Sequence, residues 1–316
     1  MPHNIFTLTL NPALDKSTTV NRVLAEHKMR CETPKYEPGG GGINVARAIN
    51  KIGGLCTAVY TKGGQSGELL TSLLDNEKIV QKTILTQSHT RENFIVVEKS
   101  TNNQFRFGMP GQVISPSEVE DILNLLKDDK NNYKYLVVSG STPSGIKNDF
   151  YYEVSSIAKS KNAKLILDTS GEALKEALKV GIYFFKPNLA ELGELLGASD
   201  EDLDTIEEQE QAAKQLLSTH KIELLAVSLG AFGAVAATKD EVRHIPAPSV
   251  KKQSTVGAGD CMVAGIVLSL SKGENIFNAV KYGVACGTAA TMNPGTELCK
   301  KSDVERLYRL IQERTL

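Results

Sequence analysis

The sequence predicts an α/β fold: a three-layer α/β/α domain with a mostly parallel central sheet and a small β-sheet lid. Three observations predict it. From about Pro116 the chain alternates helical periods with short apolar runs. Those runs are continuously apolar, without the in-out alternation of a half-exposed strand, so their sheet is covered on both faces and its crossovers are right-handed. No internal repeat, low-complexity tract or long linker divides the 316 residues. One domain over 1–316 is therefore expected, with the lid inserted at about 16–37 and 90–108.

Asn4-Ile-Phe-Thr-Leu-Thr-Leu10 reads as the first strand and stops at Asn11-Pro12, since proline cannot continue a central ladder. Asp15 then falls just past a strand end, where ligand-contacting groups gather in α/β proteins; a solvated loop aspartate fits the same position. Lys16 to Glu37 follows no helical period and supplies lid strands. Pro38-Gly-Gly-Gly-Gly42 leads into Ile43–Ile52, where Ile43, Ala46, Ile49 and Ile52 form one apolar helical face before Gly53-Gly54 closes it. Four glycines let backbone approach a ligand with no Cβ intervening, or make a plain turn. They are not a dinucleotide fingerprint, which needs G-x-G-x-x-G and a following acid.

Leu55–Tyr60 reads as a strand and Gly67–Asn76 as the start of a helix. His89–Glu98 and Gln104–Phe107 flank the polar turn Ser100–Asn103 as a hairpin. Arg91 and Arg106 lie on it; their forks suit a phosphate, or simple solvation. Helices are predicted at Ser117–Lys127, Asp149–Lys159, Gly171–Leu178, Leu189–Leu196 and Glu207–Ser218. Strands are predicted at Tyr135–Ser139, Lys164–Asp168, Tyr183–Lys186 and Leu224–Leu229. Ser139-Gly-Ser141, Asp168, Lys186-Pro-Asn188 and Ser228-Leu-Gly230 then fall at C-terminal strand ends with Asp15. In Asn188-x-x-Glu191 the carboxylate lies one helical turn on, able to act on Mg²⁺ through water or merely to face solvent.

The stretch Gln253-Ser-Thr-Val-Gly-Ala-Gly-Asp260, followed by the apolar run Cys261–Leu270, reads as a tight turn opening a buried helix. The N–H groups of Gly257, Ala258 and Gly259 would meet an anion there, where the helix carries roughly half a positive charge. Asp260 beside them can take a proton from an alcohol, which together would equip the turn for phosphoryl transfer. An ordinary capping aspartate gives the same pattern.

Composition excludes several classes. Hydrophobic content of 41%, charged content of 23% and a net charge of −1 are those of a globular protein with no overall pull toward nucleic acid or a membrane surface. The longest apolar run is too short to span a bilayer, and no signal segment opens the chain. Cys31, Cys56, Cys261, Cys286 and Cys299 are scattered and odd in number, so a reducing, cytoplasmic setting is expected, without a disulfide framework or structural zinc.

Pro38-Gly-Gly-Gly-Gly-Ile-Asn-Val-Ala-Arg47 and Ser254-Thr-Val-Gly-Ala-Gly-Asp260 resemble the two signatures of the PfkB group in the ribokinase family. Asn188-x-x-Glu191 matches that family's magnesium-associated motif, and Thr7–Asp15 is similar to its sugar-phosphate kinase branch. A narrower resemblance, in Glu37–Asn44, Phe105–Gly111 and Gly295–Cys299, is to the PfkB-type 6-phosphofructokinases. Related 1-phosphofructokinase and tagatose-6-phosphate kinase branches carry Gly-Gly-Lys-Gly where this chain has Gly39 to Gly42, so Gly41 points to fructose 6-phosphate. Glu297 departs from the branch, which has Arg there.

The resemblance implies a ribokinase-like fold and ATP-dependent phosphorylation of fructose 6-phosphate to fructose 1,6-bisphosphate. The other two sugar-phosphate kinase activities, and a non-catalytic sugar-phosphate sensor, stand as alternatives. It implies that Asp260 is the base and that the amides of Gly257, Ala258 and Gly259 hold the transferring phosphoryl group. Asp15, Gly40, Gly41, Asn44 and Ser141 would hold the sugar, with Arg91 and Arg106 on its phosphate and Arg30 reaching in from a partner subunit. Lys186, Asn188, Ser228, Gly230 and Thr255 would line the nucleotide site. Glu191, with Asp168 as a weaker candidate, would organise Mg²⁺. ATP is then the co-substrate, K⁺ a candidate second cation, and a homodimer through the lid the expected assembly.

Overall fold

The computed structural model describes residues 4–314 apart from 148, 170, 171 and 180. Its strands are β1 (Ile5–Thr9), β2 (Ala13–Val20), β3 (Lys35–Gly39), β4 (Thr57–Lys62), β5 (Val80–Leu85), β6 (Arg91–Glu98) and β7 (Gln104–Phe107), then β8 (Tyr135–Ser139), β9 (Lys164–Asp168), β10 (Ile182–Phe185), β11 (Ile222–Ser228), β12 (Ala234–Ala237) and β13 (Val242–Ile245). Its helices are α1 (Gly41–Lys51), α2 (Gly64–Asn76), α3 (Pro116–Lys127), α4 (Phe150–Ser160) and α5 (Glu172–Leu178), then α6 (Leu189–Leu196), α7 (Ile206–Thr219), α8 (Ala258–Ser271), α9 (Ile276–Thr291) and α10 (Lys301–Arg314). Gly171, the expected start of the fifth of these, lies outside the described residues.

The main sheet runs β13-β12-β11-β10-β9-β8-β1-β4-β5. Every pair from β11 to β5 is parallel, whereas β12 is antiparallel to both neighbours. Alternate residues of one strand feed two separate cores, as a doubly covered sheet requires. On β8, Tyr135 and Val137 pack into the core shared with α1, α8, α9 and α10. Leu136 and Val138 pack into the other, with α3, α4 and α7. The centre of the first core is α8, buried continuously from Cys261 to Leu270. Strand order reverses beside β1, with β4 and β5 on one side and β8 onward on the other, and a ligand cleft belongs at that switch point.

A second sheet is ordered β3-β2-β6-β7. Here β2 pairs antiparallel with β3 but parallel with β6, and β6 turns back on β7 as the expected hairpin. Asp15, expected in a loop, instead lies within β2, opposite Glu37 and Asn93. Asn11-Pro12 ends pairing in the first sheet as expected, but it re-aims the chain straight into another strand. Among the described residues no helix is long and apolar enough to cross a membrane. All five cysteines are free thiols, Cys31 exposed and the other four buried.

Candidate active site

Two helix N-termini, those of α1 and α8, open on the same cleft beside the ends of β1 and β8. The turn into α8 needs Gly257, whose φ of 71° is left-handed backbone that disfavours a side chain. Behind it, the amide of Ala258 bends back to the carbonyl of Thr255 at 3.3 Å, so it is less free than the sequence suggested. The amides of Gly257 and Gly259 have no acceptor among the described residues. They remain as donors at the positive end of a buried helix.

Asp260, in the first turn of α8, is half-buried and faces this cleft. Burial of its carboxyl, with the Asp168 carboxylate nearby, pushes its pKa up to about 7 against the opposing pull of Asn44 and Lys186. Asn44, in the first turn of α1, donates to Asp260 Oδ2 at 2.9 Å. Its own Oδ1 is buried without a partner, an acceptor left for a ligand hydroxyl.

On the other flank, Lys186 is 5% exposed and its ammonium lies 3.1 Å from Asp168 Oδ1. Burial would lower its pKa, but the carboxylates of Asp168, Glu191 and Asp260 outweigh it and the net shift is upward. A methyl group on Gly259 would meet Lys186 Nζ at 3.8 Å, so this cation sits beside the α8 turn. Asp168 also accepts from Ser139 Oγ at 3.2 Å.

Asn188 and Glu191 form a reciprocal capping box at the start of α6. Asn188 Oδ1 accepts from the Glu191 amide at 2.8 Å, and Glu191 Oε2 accepts from the Asn188 amide at 2.9 Å. The motif is thus structural at one carboxylate oxygen and free at the other. Burial raises the Glu191 pKa despite that amide and Lys186. Among the described residues no cluster of three metal-ligating side chains occurs. The unbonded oxygen of Glu191 and the carboxylate of Asp168, already paired with Lys186, are the acceptors here that suit a hard cation whose shell is completed by water and phosphate oxygens. Ser228, Gly230, Thr255, Ala258 and Gly259 line an adjoining cavity of about 490 Å³ whose far wall, with Val250, Met262 and Val284, is apolar. A flat ring fits such a slot.

The glycine run forms the opposite wall by backbone contact. A Cβ on Gly41 would land on Ser139 Oγ and the Gly140 amide, and one on Gly42 would meet Thr9 Oγ1 at 2.6 Å. Gly39 lies against the Asp15 carboxylate, where a Cβ would come within 2.6 Å of Oδ2. Gly40 is in a positive-φ conformation, at 110°. Burial raises the Asp15 pKa, offset by a 2.8 Å hydrogen bond from Asn93 Nδ2 and by Arg91. Asn11 donates to Ser141 Oγ at 2.9 Å and leaves its Oδ1 buried and unpartnered. Arg91 donates to the carbonyls of Asn11 and Met109 at 3.3 and 3.4 Å, and its buried Nε has no partner.

Arg106 pairs with Ile95 in the β6–β7 ladder and so shares a sheet face with Arg91 and Asn93, but among the described residues its side chain bonds only to Gln104. Arg30 is exposed between β2 and β3 and makes no hydrogen bond or ion pair among the described residues. The structure thus brings together Asp260, Asn44, Lys186, Asp168 and the α8 turn, and separately Asp15 with Arg91 and Ser141. It leaves Arg106 and Arg30 at the margin. Asn93 and Asn11 were missed. Strand alternation around Arg91 could have found the first; the second was read only as a strand terminator.

The chain belongs to the pfkB family of carbohydrate kinases, whose model matches residues 9–303. It is 40% identical over 311 residues to the ATP-dependent 6-phosphofructokinase isozyme 2 of Mycobacterium tuberculosis, covering 98% of this chain and 91% of that one. It is 39% identical over 305 residues to the ATP-dependent 6-phosphofructokinase isozyme 2 of Escherichia coli strain K12, covering 96% and 97%. The fold superposes on phosphofructokinase-2 from Escherichia coli in complex with potassium with a TM-score of 0.93, at 38% identity, over 99% of this chain and 100% of that one. That Escherichia coli protein has also been solved with fructose-6-phosphate and in a tetrameric inhibited form, each with a TM-score of 0.91 and 37% identity.

Proposed function

We propose that this protein transfers the γ-phosphoryl group of ATP to fructose 6-phosphate, forming fructose 1,6-bisphosphate. The observation that carries the proposal is Asp260: a carboxyl tuned to about 7, held by Asn44, one residue from the free amide of Gly259. A base with that pKa is half ionised near neutral pH and can take the hydroxyl proton as the sugar oxygen attacks. The Gly257 and Gly259 amides, with Lys186, hold the charge spread over the moving phosphoryl oxygens, and positioning does most of the rest.

Asp15 and Asn44 hold sugar hydroxyls, with Asn11 and Ser141 beside them. Arg91 grips the 6-phosphate, and Arg106 and Arg30 join it only from across a subunit contact or after the second sheet closes as a lid. Ser228, Gly230 and Thr255 border the base and ribose. Mg²⁺ neutralises phosphate charge when bound, with Glu191 and Asp168 on its water shell. K⁺ is proposed on the precedent of the potassium complex of the Escherichia coli protein. Four buried free thiols suit a reducing, cytoplasmic setting.

Gly41 supports the choice of sugar. The space a side chain would need there is taken by Ser139 and Gly140, so this backbone excludes the lysine of the sister branches. Purified protein offered fructose 6-phosphate, fructose 1-phosphate and tagatose 6-phosphate with Mg-ATP should release ADP fastest with the first. A better rate with either other sugar overturns the sugar assignment, and no ADP with any of them revives a sensor.

A further inference from the structure

The active cleft lies at the C-terminal ends of the strands; a second cavity, of about 800 Å³, opens at their N-terminal ends. The starts of β8, β9, β10 and β11 and the end of α4 enclose it. Lys134, Lys159, Lys161, Lys164, Lys221 and Lys239 line it, and Glu223 is the single carboxylate among the lining residues. This concentration occurs in a chain whose net charge is −1.

Helix ends explain part of it. Both α4 and α7 terminate beside the cavity, and each C-terminus carries about half a negative charge that attracts lysine. Two such ends and Glu223 still leave most of six ammonium groups uncompensated. Lys161 is engaged, donating to the carbonyls of Asp128 and Asn131 at 3.0 and 3.4 Å and pairing with Asp129 at 3.5 Å. Lys164 lies 4.1 Å from the centroid of the Tyr183 ring. Lys134, Lys159, Lys221 and Lys239 have no ion-pair partner among the described residues. Asp129, Glu223 and the two helix ends together offset about half of the six charges, and the positive excess that remains at one place would be relieved by an anion entering the cavity.

We propose that this cavity is a second ligand site, for a small molecule bearing two or more phosphate groups. Its volume is in the range of small-molecule sites. Lysine offers a compact charge with three donors, suited to oxygens at several phosphate centres, and no arginine fork lines the cavity to select a planar carboxylate. The partly exposed ring of Tyr183, beside Lys164, supplies an apolar surface for a sugar or base, with Tyr133 and Tyr135 buried behind it. The lysines ring one open cavity, most of them solvent-exposed, and do not form a stripe along the surface, which favours a small ligand over nucleic acid. The site is independent of the kinase reading, since no residue of the cleft around Asp260 takes part.

The probe is inorganic tripolyphosphate with the full chain at about 0.15 M salt, read by calorimetry and by hydrogen–deuterium exchange. The expected result is saturable binding with slowed exchange at residues 132–135, 159–165 and 221–223. Lys164→Glu with Lys221→Glu should weaken that binding about tenfold or more, as reversing two charges in one pocket implies. Lys159→Gln with Lys239→Gln serves as a milder pair should the first fail to fold. Competition by ATP, pyrophosphate and fructose 1,6-bisphosphate then identifies the source of the phosphates. Protection confined to the cleft around Asp260, binding indifferent to both variants, or binding of RNA without tripolyphosphate would overturn the proposal.

Discussion

Asp260 has two obligations that conflict. As the proposed base it must be ionised, yet burial and the Asp168 carboxylate favour its neutral form. Turnover should therefore fall below about pH 7, approaching tenfold per pH unit, and a pH–rate profile of kcat/KM checks this. Asp260→Asn should lower kcat by about two to four orders of magnitude while fructose 6-phosphate still binds. The same substitution should stabilise the fold. The folded pKa of about 7 exceeds the ordinary 3.8, so ionisation destabilises the native state increasingly as pH rises from about 4 to 7, and fully above that. At pH 8 the variant should melt a few degrees higher than the wild type, with the gain vanishing toward pH 4. A calorimetric series over that range tests the sign. The tight turn opening a buried helix was legible in the sequence as three small residues before an apolar run, a pattern that an ordinary capping aspartate gives equally. Asn44, the partner of Asp260, was legible only by resemblance, since 216 positions separate the bonded pair and no local pattern reports a contact at that distance.

Short elements act as brackets for those residues. Arg47 is 3% exposed; it binds Glu77 through two nitrogens at 2.7 to 3.0 Å and donates to the Pro38 carbonyl at 3.0 Å. It therefore ties the glycine run to α2. Arg47→Ala should cost about 2–4 kcal/mol in chemical denaturation, since Glu77 and a buried carbonyl lose their partner. The Asn188 capping box is a smaller bracket: Asn188→Ala should cost about 1 kcal/mol and raise the Mg²⁺ concentration needed for half-maximal rate, because the Glu191 backbone N–H loses the side-chain oxygen that fixes the first turn of α6, while the Asn188 backbone N–H still meets the Glu191 carboxylate. Elements flanked by helices, such as β8 and β9, were read with their true bounds because their apolar runs are short and sharply ended. β5 was missed for the opposite reason. As an edge strand it buries only Ile84 and shows Gln81 and Lys82 among exposed neighbours, so it resembles a loop. β12 is Ala-Val-Ala-Ala, whose strand state comes from its ladder partners and not from propensity. α9 and α10 flank the Gly295–Cys299 stretch and were not predicted from the sequence.

At the scale of the whole molecule, the second sheet exposes apolar side chains that a lone chain leaves wet. Phe107 is 49% exposed, Met109 45%, and Leu24 and Met29 40% each, all in or beside that sheet. Such a patch with open strand edges suits a second copy. Light scattering at micromolar protein should give at least a dimer, and Phe107→Glu should shift it toward monomer. Lys35 on β3 lies 3.0 Å from Glu37 and 3.9 Å from Glu297, so an exposed charge pair links the second sheet to the loop before α10. The glycine wall has a wider consequence. A side chain at Gly41 or Gly42 would strike the main chain of Gly140 or Leu8 as well as the hydroxyls of Ser139 and Thr9, so trimming one neighbour does not make room, and laboratory evolution toward a different sugar cannot proceed by a single swap there. On the proposed sugar assignment, new specificity is better sought at the rim around Arg91 and Asn93, and a screening library should spend its diversity there.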